Sequence, residues 1–143
     1  MSYATLTDLE TRFGSEEINQ LSDRDDDGSN DVDVVEGALS EASSEIDSYL
    51  GSKYAIPIAS PSDNLIRTCC DIARFRLHKD MATDEVEFRY KQSITWLKDL
   101  SAGRAVLTDA NGALISIGGT TSGGSIKFSS SDRQFTEETM AGF

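Results

Sequence analysis

The sequence is poor in the residues that most often carry chemistry: its 143 residues include one His, one Trp, two Cys and two Pro. The single histidine, His78, falls at the end of a predicted helix beside Arg76 and Lys79, and nothing pairs it with a nucleophile. Cys69 and Cys70 are neighbours in a helical segment, where adjacent side chains diverge by about 100° and close no easy disulfide. They read as small, reduced core residues. No apolar run approaches the ~20 residues of a membrane-spanning helix, and residues 1–12 lack the basic-then-apolar order of a signal peptide. Cytoplasmic synthesis without a membrane partner is therefore expected.

Basic residues are scarce in one region only. Residues 1–50 hold 14 Asp and Glu against Arg12 and Arg24, whereas residues 51–143 carry 11 of each sign, so the whole net charge of −12 sits in the first third. An acidic patch repels phosphate backbones and disfavours sequence-independent nucleic-acid binding there. It suits a surface that DNA slides past, although solubility alone also explains an acidic face.

Hydrophobic spacing predicts an all-α fold, a small bundle of about four helices. Thr7-Asp8-Leu9-Glu10 fits a capping box for a short helix over about residues 7–13, ended by Gly14. Ser15-Glu16-Glu17 opens a brief turn with Ile18 and Leu21 as apolar contacts. Val32, Val35, Leu39, Ala42, Ile46 and Tyr49 then recur at a 3-4-3-4-3 spacing up to Gly51, with Glu36, Ser40, Ser43 and Asp47 on the wet side. Pro57 forces residues 54–58 to be extended. Ser60-Pro61-Ser62-Asp63 reads as a capping serine, a proline at the first helical position and an acid in the first turn. The helix it opens is apolar over most of its circumference (Leu65, Ile66, Cys69, Cys70, Ile72, Ala73, Phe75, Leu77), with Arg67, Asp71, Arg74 and His78 as its polar stripe, so it should be central. Thr83 caps the last helix, whose stripe is Val86, Tyr90, Ile94, Leu97 and Leu100 before Gly103. Trp96 lies off that stripe and should cover a seam.

After Leu107 the composition turns to Gly, Ser and Thr, which divides the chain into a helical body (1–107) and an extended C-terminal arm (108–143). Residues 113–117 and 125–128 are strand-prone and could pair as a short β-hairpin across the glycine-rich 118–124, but an isolated hairpin is marginal in water. The arm is thus either mobile in the free subunit or ordered by a partner. Phe128, Arg133, Phe135, Met140 and Phe143 are the candidate partner-binding residues, large or charged anchors on a polar tether.

Asp23-Arg24-Asp25-Asp26-Asp27-Gly28 matches the first half of a calcium loop. Counted from Asp23, however, the twelfth position is Val34 where a bidentate Glu is required, and the eighth is Asn30. A solvated turn with Asn30 or Asp31 capping the next helix is the preferred reading; a calcium-dependent protein-binding module is the alternative. The glycines of 118–124 do not join a strand to a helix as phosphate loops do. No enzyme signature, cofactor or metal ligand set emerges.

Leu21-Ser22-Asp23-Arg24-Asp25-Asp26-Asp27-Gly28, Ala42-Ser43-Ser44-Glu45-Ile46-Asp47-Ser48-Tyr49-Leu50, Cys70-Asp71-Ile72-Ala73-Arg74-Phe75-Arg76-Leu77 and Arg89-Tyr90-Lys91 together resemble the Mu-like phage head-completion or head-tail connector family. The resemblance spans about residues 1–107, and Asp132-Arg133-Gln134-Phe135 with Gly142-Phe143 resembles that family's C-terminus. It implies a structural virion protein located in the phage neck, an adaptor subunit forming a ring of about twelve copies between the portal protein and a tail-side neck protein. Viral DNA would pass through the channel without specific binding, and Asp25, Asp26, Asp27, Asp31 and Asp33 are the acidic residues expected to face it. The resemblance carries no catalytic residues.

Overall fold

Five α-helices and one 3₁₀ turn follow one another in the computed structural model, which describes residues 1–118. They are α1 (Leu6–Phe13), α2 (Ser15–Ser22), α3 (Val32–Leu50), α4 (Asp63–His78), the turn Lys79–Met81, and α5 (Asp84–Ala102). The long helices α3, α4 and α5 pack on one another, and the α1–α2 pair lies across α3 and α4. The described residues are therefore mostly helical, with one helix more than expected because residues 15–22 complete two turns. Gly14 joins α1 to α2 at φ 90°, a backbone region closed to most side chains.

α4 is central. Leu65, Cys69, Cys70, Ile72 and Ala73 are all fully buried. It meets α3 where two small buried residues, Ser43 on α3 and Cys69 on α4, face each other. Small side chains let the helices approach until the Cys69 sulfur lies 3.5 Å from the Ser43 hydroxyl and 4.0 Å from the Leu39 carbonyl oxygen. Burial pushes the Cys69 thiol up and that of Cys70 to about 12, so both stay protonated core groups.

Several local expectations are corrected. The capping box of α1 is Thr5 with Asp8: the Asp8 amide donates to the Thr5 hydroxyl at 3.3 Å and the Thr5 amide to the Asp8 carboxylate at 2.8 Å. Starting the helix there seats Tyr3, Ala4 and Leu9 in the core, and leaves Glu10 to accept from the Asn30 side chain at 3.3 Å. Ser62, not Ser60, stands at the N-cap of α4, with no capping bond from its side chain, and Pro61 lies in an antiparallel bridge with Asp109 instead of opening the helix. On α3, Val32 is exposed whereas Ser43 is buried, its hydroxyl donating to the Leu39 carbonyl at 2.9 Å and accepting from the Tyr3 amide at 3.0 Å. α5, by contrast, keeps its expected limits: Thr83 at its N-cap accepts from the Val86 amide, and the left-handed Gly103 ends it.

Beyond α5, Leu107 is buried and the chain doubles back over the body. Thr108 bridges Leu114, and Ile117 bridges Tyr54. Residues 113–117 thus contact the body; the other half of the expected hairpin, 125–128, lies outside the described residues.

Tyr3 ties three elements together. Its amide donates to Ser43, its hydroxyl donates to the Asp47 carboxylate, and the same hydroxyl accepts from the Ile58 amide at 3.0 Å. Burial first, and the Asp47 bond second, raise its pKa from 10.0 to about 12. The folded chain therefore holds this proton more tightly than the unfolded one. Its stabilisation is complete below pH 10 and is lost as pH climbs towards about 12. Tyr3→Phe should lower unfolding stability at neutral pH by about 1–3 kcal/mol, because the Ile58 amide loses its partner. It should also flatten part of the alkaline loss. Urea titrations of both proteins at pH 7 and across pH 9–12 check this, and unchanged midpoints would contradict it.

Candidate interaction surfaces

The acidic connection between α2 and α3 is folded around Asp23. Its carboxylate accepts from the amides of Asp26, Asp27 and Gly28 at 2.7, 3.2 and 2.9 Å. Asp31 stands at the N-cap of α3, but its side chain turns back to take the Arg24 amide at 2.9 Å, so neither it nor Asn30 caps the helix as expected. Asp25, Asp26, Asp27 and Asp33 are exposed and Asp31 is half-buried. One carboxylate oxygen from each of Asp23, Asp25 and Asp27 lies within 4.8 Å of the others. The repulsion is visible in their proton affinities: Asp27 pushes Asp25 up, while the Ser29 hydroxyl and amide bonds hold Asp27 down. The loop presents dense negative charge on a defined turn. Val34, which would have to supply the strongest calcium ligand, is instead a partly buried apolar residue of α3.

At the other end of α3 the surface is apolar. Val106, Leu114 and Ile117 are 67, 71 and 62% exposed and, with Tyr54 and Lys53, line a cleft of about 300 Å³. Gly118, the last described residue, lies here against the backbone of Ala55. The strand-like character of 113–117 was legible in the sequence; that Leu114 and Ile117 would stay exposed while Ile115 packs on the core was not.

A third surface is the groove between α4 and α5, about 350 Å³. Trp96 lies in it, half-buried, at the seam expected from its position off the α5 stripe. Phe88 is 60% exposed beside it. Asp71, expected on the polar face of α4, is only 8% exposed, and its carboxylate meets the Ser93 hydroxyl at 3.5 Å. Burial pushes its proton affinity up, with Arg89, Arg67 and Arg12 pulling it down. Asp71 and Arg67 sit on the predicted polar stripe, so helical spacing could have flagged this face. Only packing shows that an acid is sunk into it.

Other ion pairs join helices. Arg76 pairs with Glu41 and Glu45 of α3 at 3.1 and 2.8 Å, and Glu45 also accepts from the Tyr90 hydroxyl at 2.9 Å. Tyr90 stacks on Phe75 at 4.1 Å between ring centres. Arg74 binds Glu17 at 2.6 Å while lying over the Phe13 ring. His78 is drawn toward the same Glu17 at 3.8 Å, and its buried Nε2 has no hydrogen-bond partner among the described residues. The expected anchors Phe128, Arg133, Phe135, Met140 and Phe143 lie outside the described residues.

Comparison with known proteins adds the lineage. The chain is 32% identical over 105 residues to gene product J of Escherichia phage Mu, an alignment covering 73% of this chain and 74% of that protein. It is 36% identical over 101 residues to the Mu-like prophage FluMu protein gp36 of Haemophilus influenzae, covering 71% of this chain and 72% of the relative. The model of the family described as "Bacteriophage Mu, Gp36" matches residues 3–115, nearly all of the described helical body and its return segment, and the chain belongs to that family of Mu-like phage proteins.

Proposed function

We propose that the protein is a structural subunit of a tailed phage virion, a head-completion adaptor that forms a ring in the neck between the portal and the tail side. Membership of a phage Mu family is the background. The observation that carries the reading is the placement of two unlike surfaces at opposite ends of one rigid element. The acidic loop enters α3 at Val32, and the apolar cleft lies beyond Leu50, 19 residues later, roughly 28 Å along the helix axis. A subunit that joins two structures needs separate docking faces held at fixed spacing, and α3, clamped by Tyr3 and by the Glu41, Glu45 and Arg76 pairs, supplies a stiff spacer.

In this reading the exposed carboxylates of Asp25, Asp26, Asp27 and Asp33, with Asp31 behind them, line the DNA path. Genomic DNA passes them without adhering because like charges repel. The C-terminal segment, with Phe128, Arg133, Phe135, Met140 and Phe143, reaches an adjacent subunit or the portal. No catalytic step is assigned to the chain.

The rival reading, a calcium-dependent binding module, rests on the carboxylate triad of Asp23, Asp25 and Asp27. It lacks the bidentate acid that makes such loops tight. Calorimetric titration should therefore show no saturable calcium binding below about 1 mM, and melting temperatures in calcium and in chelator should coincide. Binding in that range, abolished by Asp27→Ala, would favour the rival. A chain ending after Gly118 should retain the helical circular dichroism and melting transition of the full protein. In the phage it should block formation of tailed particles, and normal phage yield would reject the role given to residues 119–143.

A further inference from the structure

The groove between α4 and α5 carries groups that the fold itself leaves poorly used. Asp71 is sunk at its base with, among the described residues, a single long hydrogen bond from Ser93, although a buried carboxylate ordinarily gathers several donors. Arg67 and Arg89 flank it, both exposed, Arg89 held by Glu85 on the solvent side. Phe88 and Trp96 supply an aromatic wall beside them. An occupant matching this surface would bring hydrogen-bond donors to Asp71, which has the charges of Arg67 and Arg89 nearby but only the long Ser93 bond among the described residues, an aromatic ring to Phe88 and Trp96, and acidic groups to the exposed arginines. Tryptophan and arginine at a partly desolvated pocket are the composition on which binding energy concentrates.

The chain contains such a segment. Arg133-Gln134-Phe135-Thr136-Glu137-Glu138 carries a guanidinium, a phenyl ring and two carboxylates within six residues, in an order that satisfies base, wall and rim in turn. The distance also fits. Arg133 is the fifteenth residue after Gly118, a stretch that spans at most roughly 50 Å. That exceeds the roughly 28 Å length of α3 or α5, so the segment can leave its own subunit.

We infer that residues 133–138 of one copy dock in the α4–α5 groove of a neighbouring copy, Arg133 meeting Asp71, Phe135 packing between Phe88 and Trp96, and Glu137 and Glu138 facing Arg67 and Arg89. The inference rests on the ring reading above, because a tail that fills the next subunit's groove is a head-to-tail contact that repeats around a closed ring. It names the receptor for a segment that otherwise has only an unspecified partner.

Site-directed cross-linking of the full-length protein tests it. One population carries Gln92→Cys, an exposed position in the groove, and the other Thr136→Cys. The native Cys69 and Cys70 are buried and do not compete. Mixed under mild oxidation, the two populations should form a disulfide-linked dimer at least tenfold more abundant than in either alone. Arg133→Glu or Phe135→Ala in the tail partner should each remove most of it without altering the melting transition. Absence of the mixed dimer overturns the inference, as does a dimer indifferent to both tail substitutions. A disulfide that forms only within a single chain bearing both cysteines overturns the assignment to a neighbour. The two readings fail separately: portal-bound rings without the cross-link reject this docking and keep the neck role, whereas the cross-link without any portal association does the reverse.

Discussion

The contact between Ser43 on α3 and Cys69 on α4 sets the geometry of the rest of the molecule. Serine and cysteine at that seam allow a sulfur on one helix to touch a backbone carbonyl on the other. Any larger side chain there would force the helices apart or into unfavourable rotamers, at a cost of about 1–3 kcal/mol. The same Ser43 hydroxyl accepts the Tyr3 amide, so the close approach of α3 and α4 also decides where the N-terminal segment lies. Tyr3 in turn reaches Asp47 and the Ile58 amide, fixing the connection between α3 and α4. From one seam follow the placement of α1, the entry to α4 and the floor on which residues 108–118 fold back.

This arrangement explains why the surfaces stay distinct. Charge repulsion among Asp23, Asp25 and Asp27 is tolerated because the loop is exposed and because backbone amides converge on Asp23. Apolar side chains at Val106, Leu114 and Ile117 remain in solvent because the body beneath them is already closed by Tyr54 and Leu107. Exposed apolar groups gathered in one place mark an interaction surface more often than chance scatter does. In the groove between α4 and α5 the exposed ring of Phe88 and the buried acid of Asp71 lie side by side, a pairing that folding alone does not require.

Much of the body was legible in the sequence wherever local signals agree with one another. α5 has its Thr83 cap, its apolar stripe and its Gly103 stop, and folds over that span. α4 is apolar on most sides and is central. Misreadings arose where two local solutions compete and tertiary packing chooses. Thr5 and Thr7 both head a Thr-x-x-acid pattern; Thr5 prevails because it brings Tyr3 and Ala4 into the core. Ser60 and Ser62 both precede α4; Ser62 stands at the N-cap, and Pro61 lies in a bridge with Asp109, a residue far away in sequence. Ser43 looks like a surface serine until the neighbouring helix comes close enough to bury it. The acidic run was equally plain, yet its internal order depends on Asp23 gathering three amides, which no charge count reveals. Phe128, Arg133, Phe135, Met140 and Phe143, expected to bind a partner from their chemistry on a polar tether, lie outside the described residues.

A neck adaptor is defined by what it assembles with. Under the proposed neck role, the α3 spacer, the acidic loop and the apolar cleft serve a common purpose in a ring on the portal. Negative-stain electron microscopy of the purified full-length protein mixed with the portal of its own phage tests that directly. The account predicts a closed ring of this subunit seated on one face of the portal and coaxial with its channel; portal particles left bare beside unassembled subunits, at micromolar concentrations of both, would contradict it.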